Sequence, residues 1–113
     1  MRKKISIVIP VFNEEENLRE FYTRLTKVLS GLSYDYDIIF VDDGSRDTSA
    51  AILYDLSETD EHVQAYLLSR NFGHQMALTC GLDHAEGDAV ITMDGDLQHP
   101  PELVPELLSL WEG

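Results

Sequence analysis

Apolar residues along this chain alternate between two spacings. A continuous apolar run, Ile5 to Phe12, predicts a first strand. From Glu14 to Leu32 the apolar positions instead fall at Leu18, Phe21, Tyr22, Leu25, Val28 and Leu29, a helical stripe that ends at Gly31. Tyr36 to Val41 predicts the second strand, and Ser45, Asp47 or Thr48 can cap a helix carrying Ala51, Ile52, Leu53 and Leu56. Val63 to Leu68 reads as strand, Gly73 to Ala85 as helix and Asp88 to Met93 as strand. Pro101 then suits the first turn of a helix over Glu102 to Trp111, with Leu103, Leu107, Leu110 and Trp111 expected to face inward.

Strand–helix repeated in this way predicts an α/β fold, a parallel sheet with helices on both faces and right-handed crossovers. The chain has 113 residues, enough for a single core and small for a complete α/β enzyme. It stops directly after a helix, so a fifth strand is expected next and the chain reads as truncated, the N-terminal part of a larger domain. No run of about 18 apolar residues occurs, so no membrane span is expected. The start Arg2-Lys3-Lys4 followed by a short apolar run breaks at Pro10 and meets Asn13 to Glu16, which favours a strand over a signal peptide.

The formal net charge is −13, from 21 acidic and 8 basic residues. That balance excludes nucleic-acid binding by phosphate neutralisation. An anionic ligand would need a metal ion or a few well-placed arginines. The single cysteine, Cys80, lies in an apolar stretch and is expected to be a buried, inert thiol, in keeping with a reducing cytoplasm.

The unusual polar residues collect after strands. Pro10, Phe12, Asn13 and Glu14 follow the first, and Asp42, Asp43, Gly44 and Ser45 the second. Arg70, Asn71, Phe72, Gly73 and His74 follow the third, and Asp94, Gly95, Asp96, Gln98 and His99 the fourth. All four groups would share the carboxyl rim of the sheet, where open α/β sheets hold ligands. Asp94 and Asp96 are the sharpest pair. Two like charges that close repel by about 1 kcal/mol in water and about 4 kcal/mol at an intermediate dielectric, and hard oxygen ligands of this kind suit Mg²⁺ or Mn²⁺. The alternative is an acidic turn capping the helix after Pro100-Pro101. Asn13 and Glu14 could equally cap the first helix, Asp42 to Ser45 could be a turn with an N-cap, and Arg70 could form a surface ion pair of little value. His74 and His99 are expected to be structural or solvated. No dinucleotide-binding or P-loop glycine motif is present.

Taken together, the strings Ile7 to Glu15, Val41 to Asp47, Ser69 to His74 and Met93 to Pro101 resemble the GT-A inverting glycosyltransferases of family 2. Within it they are most similar to the branch that loads sugars onto polyprenyl phosphates such as dolichyl and undecaprenyl phosphate. The likeness runs in order over essentially the whole chain. It implies a Rossmann-like nucleotide-sugar-binding fold over residues 1–113, with the acceptor half and the membrane-associated segments of this branch lying beyond it. It implies that Pro10, Phe12 and Glu14 line the base and ribose pocket, and that Val41 and Asp43 contact the base and ribose with Asp42 nearby. Phe12 stands where tyrosine is common. Asp94 and Asp96 would be the catalytic, metal-holding residues that bracket the diphosphate, with Gly95 between them and Gln98 assisting at the metal. Arg70 would lie near the donor. The implied cofactor is Mg²⁺ or Mn²⁺. The implied partners are a UDP- or GDP-sugar and a lipid-phosphate acceptor, with a glycan or cell-wall polysaccharide acceptor as the alternative. A homo-oligomer is compatible with this, as is a cytoplasmic protein at the cytoplasmic face of a membrane. A receiver domain fits less well, because it places its acidic pair after the first strand and needs a lysine after a fifth; Lys27 is the last lysine here. A phosphatase of the haloacid dehalogenase type likewise carries its Asp-x-Asp after the first strand. An inactive fragment is the remaining reading.

Overall fold

The computed structural model describes residues 2–95 and 100–112. Four strands, β1 (Lys4–Val11), β2 (Asp35–Asp42), β3 (Val63–Leu67) and β4 (Ala89–Thr92), alternate with α1 (Leu18–Ser30), α2 (Ser49–Thr59) and α3 (His74–His84). A short 3₁₀ turn, Pro101–Leu103, then leads into α4 (Val104–Glu112). The sheet is wholly parallel in the order β3-β2-β1-β4. The α/β parallel fold expected from the pattern is therefore observed.

Burial explains the unbroken apolar strands. In β1 every residue from Ile5 to Val11 is buried, because helices cover both faces. Ile5, Ile7, Ile9 and Val11, with Ile38 and Phe40 of β2, pack against Leu18, Phe21, Leu25 and Leu29 of α1, Leu53 of α2, and Val104 and Leu108 of α4. The other face carries Val8, Ile39 and Val41 against Ala77 of α3. That approach is close enough to require glycine in the helix: a Cβ on Gly81 would stand 2.3 Å from Val8 Cγ1. Cys80 is half-buried on this side, and burial, followed by the charge of Asp83, pushes its thiol up, which agrees with an inert thiol.

Two expectations are corrected. The first helix begins at Leu18 rather than Glu14, because residues 14–17 form a turn in which Glu14 O accepts from Asn17 N and Leu18 N at 3.0 Å. The last helix presents a different face. Leu103, Leu107, Leu110 and Trp111 are exposed, Leu110 at 76%, while Pro101, Val104 and Leu108 are buried. The 3₁₀ turn winds at three residues per turn, so a helical wheel drawn from Glu102 starts out of phase.

The topology makes the crevice. β2 and β3 build out from one side of β1 and β4 from the other, so the strand order reverses between β1 and β4 while all four strands stay parallel. The β1–β4 ladder ends at Val8↔Thr92, with a last bond from Met93 N to Val8 O at 3.0 Å. Two residues on, Pro10 faces the same side with no N–H to donate, and pairing stops there.

Candidate functional site

At the carboxyl rim the loops are bound to one another before any ligand is considered. Asn13, with φ of 53°, turns the chain out of β1, a conformation asparagine tolerates. Its N–H donates to Ser45 Oγ at 2.9 Å, and its Oδ1 accepts from Arg46 N at 2.8 Å. Glu14 N donates to Ser49 Oγ at 2.9 Å and Glu15 N to Asp47 Oδ2 at 3.2 Å, while Glu15 Oε2 accepts from Thr48 N at 2.9 Å. Asp47, not Ser45 or Thr48, provides the cap-like bond at α2, its Oδ1 accepting from Ser49 N at 2.9 Å. Burial pushes the Asp47 carboxyl up, but the hydrogen bonds from Ser49 and from the Glu15 backbone outweigh it and hold it below its ordinary value. The string from Asn13 to Ser49 thus spends much of its polarity on joining the β1–α1 and β2–α2 loops.

The acidic pair after β2 divides its work. Asp42, 2% exposed, accepts from Ser45 N through Oδ2 at 3.0 Å, and its buried Oδ1 has no partner among the described residues. Asp43 accepts from Phe72 N through Oδ1 at 2.8 Å and from Gly73 N through Oδ2 at 3.1 Å. Gly44, with φ of +72°, lets the Arg70 backbone pass so closely that a Cβ would lie 2.3 Å from Arg70 C. Together these contacts seat the β3–α3 loop on the end of β2. Further along that loop the Arg70 guanidinium lies over the Phe72 ring, 4.7 Å from its centroid.

These loops enclose a pocket of about 420 Å³ at the reversal between β1 and β4, within the usual size range of small-molecule sites. Pro10, Val11, Phe12 and Glu14 form one wall, Asp94 and Gly95 another, and Asp43, Asn71, Gly73 and His74 the rest. A side cleft of about 170 Å³ shares Pro10, His74 and Asp94 and runs on over Leu78, Thr92 and Met93. Three carboxylates, Glu14, Asp43 and Asp94, face one space whose wall includes no lysine or arginine among the described residues. Such a space suits a polar ligand that brings or recruits positive charge.

Of the residues anticipated from sequence, the structure brings Pro10, Phe12, Glu14, Asp43, Asp94 and Gly95 together in this wall. Val41 does not line it; its side chain packs beneath α3 beside Val8 and Ala77. Asp42 does not line it either, and Arg70 lies outside it although Asn71, its neighbour, is in the wall. Asp96 and Gln98 lie outside the described residues. Among the described residues no cluster of three or more potential metal-binding side chains occurs, so the metal-holding set expected here depends on Asp96 and Gln98 beside Asp94. Asn71, Gly73 and His74 are the additions. Their string is visible in the sequence, but how the loop is seated depends on the bonds that Phe72 N and Gly73 N donate to Asp43. Among the described residues no helix is long and apolar enough to cross a membrane.

Comparison with known proteins gives this geometry its relatives. The chain is 47% identical over 107 residues to the glycosyltransferase YkcC of Bacillus subtilis, covering 95% of this chain and 33% of that protein. It is 50% identical over 105 residues to undecaprenyl-phosphate 4-deoxy-4-formamido-L-arabinose transferase of Pseudomonas fluorescens, covering 92% of this chain and 31% of that protein. The chain thus spans about a third of the length of these relatives. A mannosyltransferase of Pyrobaculum calidifontis, solved with GDP-mannose and Mn²⁺, superposes with a TM-score of 0.71 at 22% identity over 85% of this chain and 28% of its own. Glucosyl-3-phosphoglycerate synthase of Mycobacterium tuberculosis, solved with Mn²⁺, UDP and glucosyl-3-phosphoglycerate, gives 0.72 at 24% identity over 96% and 39%. The fold is the GT-A fold of these glycosyltransferases. The model of glycosyl transferase family 2 matches residues 6–113, and the chain belongs to that family.

Proposed function

We propose that this chain forms the donor half of a glycosyltransferase site, in which a sugar passes from a nucleoside diphosphate to a polyprenyl phosphate with inversion at the anomeric carbon. The observation that carries this is the pocket at the β1–β4 reversal, where the aromatic Phe12 and the carboxylates of Glu14, Asp43 and Asp94 face one space. The named undecaprenyl-phosphate transferase, at 50% identity, supports the lipid-phosphate acceptor.

Each wall has a task. Pro10 and Phe12 offer apolar surface to a nucleobase. Glu14 and Asp43 accept hydrogen bonds from base and ribose; each Asp43 oxygen already takes one backbone N–H and keeps a lone pair for a ligand. Asp94, with Asp96 and Gln98, would hold Mg²⁺ or Mn²⁺, whose chemistry when bound is Lewis-acid stabilisation of the departing diphosphate. A phosphate acceptor is already anionic at neutral pH, so no strong general base is required of this chain. A lipid acceptor places the work at the cytoplasmic face of a membrane.

Calorimetric titration of UDP-, GDP- and dTDP-sugars, with and without Mn²⁺, tests this reading. One of these donors should bind in a Mn²⁺-dependent way, and Asp94→Ala and Asp96→Ala should weaken it. Absence of binding by every donor to the folded protein would overturn the assignment.

A further inference from the structure

We propose that Asn13 is a positioning residue for nucleobase selection: it clasps the β1–α1 loop to the β2–α2 loop and so fixes Phe12 and Glu14 in the pocket wall. This rests on the donor-site reading above and adds to it what sets the wall that meets the base.

Phe12 and Glu14, the chain neighbours of Asn13, line the pocket, and Asn13 itself does not. These three residues leave β1 between fixed points. Before them, at the end of the β1–β2 ladder, Val11 O accepts from Asp43 N at 2.8 Å. At Asn13 a reciprocal pair follows, its N–H donating to Ser45 Oγ at 2.9 Å and its Oδ1 accepting from Arg46 N at 2.8 Å. Next, Glu14 N donates at 2.9 Å to the Oγ of Ser49, a fully buried residue. Phe12 is thus spanned by two bonds to one loop. Glu14 is held at its backbone and steadied at its carboxylate, where Oε2 accepts from Asn17 Nδ2 at 3.2 Å.

The residue type fits the task. Among the described residues Asn13 alone carries a side chain at positive φ, 53°. Glycine would reach that conformation but offers no Oδ1 to Arg46 N, and alanine would strain the turn and lack the acceptor as well. Asparagine supplies both. The far side of the clasp is anchored in turn, since Ser45 N donates at 3.0 Å to Oδ2 of Asp42, a residue 2% exposed. Asp42 thereby acts at one remove from the pocket, holding the serine that holds Asn13.

The two Asn13 bonds lie at the surface, where water replaces such bonds at little cost to the fold. Their effect on geometry is harder to replace. A hydrogen bond from a base edge to Glu14 weakens steeply once its distance or angle shifts. Asp94 belongs to the other wall, so the diphosphate end keeps its geometry when the clasp opens. Loosening the clasp should therefore erode the choice of base before it erodes the grip on the diphosphate.

Calorimetric titration of UDP and GDP with Mn²⁺ tests this on the unsubstituted chain and on Asn13→Asp, Asn13→Gly, Asn13→Ala and Ser45→Ala. The unsubstituted chain should favour one of the two nucleotides. Asn13→Ala should weaken the favoured one about five- to tenfold and the other less than about twofold, so that the ratio between them shrinks. Asn13→Gly should fall between. Asn13→Asp, which keeps both the turn and the acceptor, should stay within about twofold. Ser45→Ala should resemble Asn13→Ala, and combining the two should weaken binding little further. Urea midpoints should barely move in any of them. Equal losses for UDP and GDP would reduce Asn13 to a structural residue and overturn the proposal, as would unchanged affinities in Asn13→Ala. Equal affinity of the unsubstituted chain for both nucleotides would remove base selection and overturn it too. Failure of both to bind the folded, unsubstituted chain would instead overturn the donor-site reading, and the positioning role with it.

Discussion

The backbone N–H of Phe72 donates to Asp43 Oδ1 at 2.8 Å, and that bond joins two loops that sequence places 29 residues apart. With the companion bond from Gly73 N at 3.1 Å, it makes one buried carboxylate the seat of the whole β3–α3 loop. Asp43→Ala leaves two N–H groups without their acceptor and should cost about 2–4 kcal/mol in urea unfolding, while Asp43→Asn, which retains one acceptor oxygen, should cost less. Equal loss in both variants would mean that charge rather than hydrogen bonding holds the loop.

Gly44 should respond to a single methyl group. Gly44→Ala must hold φ near +72° and fit a Cβ against the Arg70 backbone. About 2–4 kcal/mol of destabilisation is expected from strain and crowding together, read as a lower urea midpoint with unchanged slope.

The α3–sheet contact is testable by compensation. Gly81→Ala alone should destabilise by about 1–3 kcal/mol, because its Cβ would fall 2.3 Å from Val8 Cγ1. Combined with Val8→Ala, which removes the opposing methyls, the pair should lose less than the sum of the single losses. Strict additivity in the double-mutant cycle would show that the helix simply moves away.

The corrected face of α4 separates two leucines. Leu108 is 3% exposed and Leu110 is 76% exposed. Leu108→Ala should cost about 2–4 kcal/mol and Leu110→Ala within about 0.5 kcal/mol, both read from denaturant unfolding.

At the opposite end of the sheet, stability should depend on pH through one cluster. Tyr22 Oη donates to Asp60 Oδ2 at 2.6 Å, and the His62 ring, stacked on Tyr36, meets Asp60 Oδ1 at 3.0 Å. Burial pushes the Asp60 carboxyl up, but the bonds from Tyr22 and His62 outweigh it and leave it below its ordinary value. Its contribution is therefore present above the ordinary carboxylate range and lost as pH falls through the lowered value. The Tyr22 hydroxyl, by burial first and then by Asp60, is pushed up to about 12, so its contribution is lost between about 10 and about 12. Tyr22→Phe should cost about 1 kcal/mol near neutrality, and the difference from the parent should shrink in strong acid and in strong alkali. A difference constant from acid to alkali would remove the cluster from the pH dependence.

Much of this protein is legible from residue order. Continuous apolar runs alternating with helical stripes specify a parallel sheet, because a strand covered on both faces must be apolar throughout. Turn residues then fall at strand ends, which predicts a shared polar rim containing Pro10, Phe12, Glu14, Asp43 and Asp94. What a one-dimensional pattern cannot carry is direction. Val41 and Asp42 sit beside Asp43 in the chain, yet one packs under α3 and the next bonds to Ser45, since alternate residues of a strand point to opposite faces. The phase of α4 was lost in the same way, because a 3₁₀ turn advances the helix by a different angle. Asn13, Ser45, Asp47 and Ser49 resemble ligand residues in isolation, and only the folded loops reveal that they bind one another. Sequence thus determines the elements and the rim on which chemistry collects. Tertiary structure decides which polar groups join distant loops by hydrogen bonds, and which residues, Asp94 and His74 among them, line the pocket.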